Sequence, residues 1–193
     1  MRRARALLRP LLIALAASAP AGAAAAAGPQ PAEWRDYDVL VRFTQLPRTY
    51  SCDELWYRLR DVLELLGARA YMTITPYHCG VQGGGQARSP SVEVQFELPL
   101  PLHGDAVRYA ELEAVSAPVR LAPGAPRSLA SADCELVRQL QDALLAALPV
   151  RVTAAEFRCT APHESFTLML TAARAAPPAS ARAGTAAGAA AQP

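Results

Sequence analysis

Residues 51–67 read SCDELWYRLRDVLELLG, and residues 133–149 read DCELVRQLQDALLAALP. Laid over one another at an offset of 81, they share Glu54 with Glu135, Leu55 with Leu136, Leu59 with Leu140, Asp61 with Asp142, and Leu63 with Leu144. Leu55, Leu59, Val62, Leu63 and Leu66 recur at the i, i+4, i+7, i+8, i+11 spacing of one amphipathic stripe, and Leu136, Leu140, Ala143, Leu144 and Ala147 repeat it. The spacing predicts helices over 54–67 and 135–148. Ser51 with Glu54 three residues later has the form of a capping box, and Asp133 is placed to cap the second helix. Gly67 and Pro149 end the two helices in different ways.

Each helical pattern opens on a cysteine and is followed by an extended stretch that closes on another. Cys52 and Cys79 lie 27 apart, and Cys134 and Cys159 lie 25 apart. Four cysteines allow three pairings, and this repeated spacing selects Cys52 with Cys79 and Cys134 with Cys159. Each bond closes a loop worth about 3 kcal/mol by chain entropy. The extended stretches run from Ala70 to Tyr77 and from Val150 to Phe157. A further strand follows each. Val92, Val94, Phe96 and Leu98 alternate with polar residues in the first, and Phe166, Leu168 and Leu170 do so in the second. One more strand precedes each helix, Tyr37 to Leu46 with Val39, Val41 and Phe43 on one face, and a looser stretch from Tyr109 to Leu121. The fold class read from this order is α+β: two tandem β-α-β-β units, about 34–100 and 106–174, forming an antiparallel sheet with two helices packed on one face and two disulfides. Spacing leaves open whether the units share one sheet or stand as two modules.

The ends are a different material. The chain has 193 residues and is 52% hydrophobic, but 42 residues are alanine, 12 of them before residue 28 and 10 after residue 174. Arg2, Arg3, Arg5 and Arg9 precede an apolar run from Leu11 to Ala17 and then small residues to Ala27, the layout of a secretory signal peptide over 1–27. The run is shorter than the roughly 20 residues a membrane span requires. Residues 28–174 are the expected folded domain. Residues 175–193, almost wholly Ala, Pro, Gly and Ser, form a tail too poor in apolar pattern to offset its ordering entropy. Formal charge is +2, but four of the nineteen arginines lie in 1–27, which leaves fifteen against seventeen acids, net −2. That balance argues against nucleic acid as a partner. Export also fits the disulfides, so the expected location is periplasmic or secreted.

No nucleophile elbow, phosphate loop, metalloprotease helix or dinucleotide fingerprint occurs. Gly83-Gly84-Gly85 has no helix after it to offer a phosphate and reads as a strand connection. His78, His103 and His163 are dispersed without metal-ligand spacing, and Asp61 and Asp142 read as solvated helix charge. Trp56 and Tyr57 stand beside the first stripe, either as an exposed contact surface or, for Trp56, as a widening of the buried face. The sequence therefore points to a disulfide-stabilised module without a cofactor or a transmembrane segment in the mature chain, binding a protein or envelope ligand. The alternatives are an exported hydrolase built on Trp56, Tyr57, His78, His103 and His163, or a periplasmic metal-binding protein. A pocket joining two or more of those five residues with a carboxylate favours the enzyme, and scattering favours the binding module.

Overall fold

A computed structural model describes residues 28–79, 89–160 and 162–177; residues 1–27, where a signal peptide is expected, residues 80–88 with the triple glycine, residue 161 and residues 178–193 lie outside them. Eight regular elements follow in the order β1 (Gln30–Arg42), α1 (Cys52–Leu66), β2 (Thr73–Tyr77), β3 (Ser91–Pro101), β4 (Leu112–Leu121), α2 (Cys134–Ala143), β5 (Arg151–Arg158) and β6 (Ser165–Ala175). Short 3-10 turns cover Gly104–Tyr109, Ser131–Asp133 and Leu145–Ala147.

The strands form one antiparallel six-stranded sheet in the order β2-β3-β1-β4-β6-β5, which answers the question that spacing left open. Pairing is long within each half and short between them. β1 runs beside β3 from Ala32 opposite Pro101 to Arg42 opposite Ser91, and β4 runs beside β6 from Ala114 opposite Ala175 to Leu121 opposite Leu168. β1 and β4 meet only at Gln30, Pro31 and Ala32, opposite Ala114, Glu113 and Leu112. This joint precedes the Trp34 boundary expected for the first unit, and β6 extends one residue past the expected end at Arg174. Both shortfalls have one cause: Gln-Pro-Ala and the final alanines carry no apolar alternation, and a backbone ladder requires none.

One core lies between sheet and helices. Val41, Val92, Val94, Phe96, Leu98, Val119, Leu121, Phe166, Leu168 and Leu170 face it from the strands. All five residues of the first stripe are fully buried, as their spacing predicts. α1 carries the full capping box, with Glu54 N donating to Ser51 Oγ at 3.1 Å and Ser51 N donating to Glu54 Oε2 at 2.9 Å. Gly67, at φ +96°, gives α1 a left-handed stop against Ala173 and Arg174 of β6.

The second helix departs from expectation. It ends at Ala143, and Leu145–Ala147 continue as a 3-10 turn. The tighter winding advances the buried face, so Leu144, Leu145 and Leu148 are buried while Ala143 and Ala147 of the expected stripe are exposed. Nor does Asp133 cap the helix through its side chain. Both disulfides have the expected pairing, with Cα atoms 5.1 Å apart for Cys52–Cys79 and 5.3 Å for Cys134–Cys159. Two such bonds fit an oxidising, exported environment, and no helix among the described residues is long and apolar enough to cross a membrane.

Candidate functional site

Strand alternation gives the sheet a second face, turned away from the core, and in the first half it is polar. Asp36, Asp38, Leu40 and Arg42 of β1 stand beside Glu97, Gln95, Glu93 and Ser91 of β3, and beyond these lie Thr73, Thr75 and Tyr77 of β2. Asp38, Leu40, Arg42, Tyr77, His78 and Glu93 line a groove of about 640 Å³ at one end of this face. Leu40 is 48% exposed and Tyr77 40%, so the groove combines apolar patches with carboxylates. The Tyr77 hydroxyl donates to Glu93 Oε2 at 2.7 Å, and this bond to a carboxylate raises the phenol pKa. Gln95 Nε2 donates to Asp38 Oδ2 at 3.3 Å. At the other end Arg69 lies over the Trp34 ring at 4.2 Å and bonds Glu97 Oε2 at 2.7 Å, so that carboxylate is already answered.

The residues singled out from the sequence do not come together. His78 lies in the groove with Asp38 and Glu93, whereas His163 borders a separate concavity with Arg158, Ser131 and Glu164. His103 is exposed before the 3-10 turn at Gly104. Trp56 is half-buried against the core, with the Arg60 guanidinium 5.1 Å from its ring. Tyr57 beside it is 58% exposed, and the two rings meet edge to face at 5.0 Å. Neither ring lines the groove.

The densest polar cluster was not legible in the sequence. Asp133, fully buried, belongs to the turn before α2, yet its side-chain partners come from the first half. The Tyr50 hydroxyl donates to Oδ1 at 2.9 Å, Arg58 Nε donates to Oδ2 at 3.0 Å, and Arg48 Nε stands 3.8 Å from Oδ1. Ala130 N closes the set at 2.7 Å. Tyr50 is itself fully buried, with the Arg48 guanidinium over its ring at 4.4 Å; burial first, and then the Asp133 charge, push its pKa well up, which keeps the phenol a donor. A buried carboxylate is tolerated only when it is paired and fully hydrogen-bonded. The carboxylate meets that condition, although the buried Arg48 Nε beside it has no hydrogen-bond partner among the described residues, and the cluster ties α1 to α2. Nearby, Gln139 grips the chain after β1, accepting from Thr44 N at 2.8 Å and donating to Thr44 O at 2.9 Å. The sequence signal for the cluster was a single acid before a cysteine, which suggests a cap and carries no trace of partners about 80 residues away.

The described residues thus form a disulfide-stapled α+β domain whose sheet has one face covered by helices and one face uncovered among those residues. No family model matches the chain, and no curated protein or solved structure matches it.

Proposed function

We propose that this is an exported, non-catalytic interaction module that holds a protein or envelope ligand on the uncovered face of β1, β2 and β3. The observation that carries the reading is the groove beside Leu40 and Tyr77, where exposed apolar surface lies within a field of carboxylates. Asp38 and Glu93 outnumber Arg42 there, so the complementary ligand presents cationic groups around an apolar side chain. The dispersal of His78, His103, His163, Trp56 and Tyr57 supports binding over hydrolysis.

In this reading residues 1–27 direct export, the mature chain is periplasmic or secreted, and the two halves descend from one duplicated β-α-β-β unit. Supporting the duplication, the strand order β2-β3-β1 of the first half is matched by β5-β6-β4 in the second, and the disulfides occupy equivalent places. Trp56 and Tyr57 offer a second, smaller contact patch. Cross-linking the exported protein in its own envelope extract tests the proposal: a reproducible partner is expected, and capture weakens when Asp38 and Glu93 are both replaced by alanine. Capture indifferent to that change removes the groove from the reading. Turnover of a screened ester or peptide, abolished by His78→Ala, replaces it with a hydrolase, and zinc retained by the purified protein replaces it with a metal carrier.

A further inference from the structure

The two outer strands of the sheet are protected very differently. β2 is five residues long, contains Pro76, and buries Ile74 against the core. A short strand with a proline is a poor template for pairing. β5 is eight residues long, RVTAAEFR, without proline or glycine, and every residue but Phe157 is exposed. Its inner face is bare because α2 stops early: Val152 is 39% exposed, and Val150 and Phe157 are only half-buried. Arg151 and Glu156 take part in no ion pair among the described residues.

The register with β6 fixes which way these side chains face. Arg151 is opposite Thr171, Ala154 opposite Met169 and Glu156 opposite Thr167, all on the outer face, whereas Val152, Ala155 and Phe157 are opposite the buried Leu170, Leu168 and Phe166. In a regular strand residues 151 and 156, five apart, would point to opposite faces. The bulge between Val152 and Ala154 adds one residue and brings both charges to the same face.

We infer that β5 is a self-association edge, pairing antiparallel with β5 of a second copy in the register that sets Arg151 opposite Glu156. In that register Glu156 meets the second Arg151, Val152 meets Ala155 on the inner face, and one residue further out Val150 meets Phe157. Apolar faces apolar and charge faces opposite charge at each of these pairs, a self-complementarity that a two-fold axis between Thr153 and Ala154 requires. The neighbouring registers that keep the faces lack it, since one sets Arg151 opposite Arg158 and opposes like charges, and the other sets Arg151 opposite Ala154 and leaves both charges unmatched. The same charges discourage a generic strand, which would leave them unmatched. A pairing of about eight residues a side, far short of the roughly 1,000 Å² of a permanent interface, makes the dimer weak and reversible. It also leaves the groove on the first half free, at the far end of each sheet.

Sedimentation of the exported, disulfide-bonded protein tests this. The weight-average mass is expected to climb from the monomer toward twice that value as concentration rises. Arg151→Glu and Glu156→Arg, both at exposed positions and each checked for an unchanged circular dichroism spectrum, should each weaken self-association at least about tenfold. Mixing the two variants should restore association, because each then meets the other's opposite charge, and the doubly swapped chain should again pair with itself. A monomer at every concentration overturns the inference. So does a dimer insensitive to either reversal, or a mixture that stays as monomeric as its components.

Discussion

The two halves of the molecule use the same order of elements and reach different degrees of independence. In the first, α1 has fifteen residues, a complete capping box and a left-handed glycine stop, and it covers its part of the sheet out to Ile74 on the edge strand. In the second, α2 has ten residues, no side-chain cap of its own, and a 3-10 continuation that leaves β5 exposed. The difference teaches that the second half is held by the first. Its helix start is anchored through Asp133 to Tyr50 and Arg58, and its helix body through Gln139 to Thr44. With only three residue pairs joining β1 to β4, side-chain contacts across the seam and the shared core carry the union.

The largest test breaks that anchor. Asp133→Ala leaves the buried Tyr50 hydroxyl and the half-buried Arg58 Nε without their carboxylate and is expected to cost about 3–5 kcal/mol, read as a lowered urea midpoint. A loss below about 1 kcal/mol would show that the halves do not depend on this contact. Slightly smaller is the removal of either disulfide. Replacing Cys52 and Cys79 by alanine, or Cys134 and Cys159, should cost about 3 kcal/mol each by chain entropy, because the loops are nearly equal. A larger loss for the second bond is the result that sharpens the comparison, since α2 has less capping to fall back on.

Gly67→Ala probes the better-built half. A Cβ there would lie 3.1 Å from Ala173 O in a conformation that L residues resist, so a cost of about 1–2 kcal/mol in thermal or urea unfolding is expected. The smallest effect is on pH dependence. Glu54 and Glu135 occupy matching places, and both have lowered pKa values, Glu54 chiefly through the backbone N–H of Ser51 and Glu135 chiefly through the Arg138 guanidinium. A lowered folded pKa means stability that is present above the unfolded value near 4.5 and lost as pH falls through the folded one. Glu54→Gln should therefore be less stable than the parent at neutral pH, with the gap closing below about pH 4.5. Glu135→Gln should show a salt-sensitive gap, because its partner is an exposed arginine rather than a backbone amide.

Much of the fold was legible because it rests on local patterns. The stripe Leu55, Leu59, Val62, Leu63, Leu66 reports a helix face through its own spacing, and Ser51, Glu54 and Gly67 mark its ends with groups that bond within a turn or two. Cysteine spacing selected the observed pairing for the same reason, each bond joining a helix start to the chain just beyond the next strand. Where the second helix ends was less legible, since the alanines at 143, 146 and 147 satisfy a helical pattern and a 3-10 turn equally, and packing of Leu145 and Leu148 decided between them. The groove drew on Asp38, Tyr77 and Glu93, which read simply as polar positions of alternating strands until the register set them side by side.

The sequence by itself determined the phase of the first helix, the faces of β3 and β6, the disulfide pairing and the arginine-and-alanine character of the ends, because periodicity and cysteine spacing act over a few to about 30 residues. Only the tertiary structure decided that six strands make one sheet, that Asp133 serves Tyr50 and Arg58 instead of its own helix, and that β5 stands bare. Those outcomes depend on which distant groups must be paired once water is excluded, and on how far a helix reaches over its sheet. Neither leaves a periodic mark in the chain.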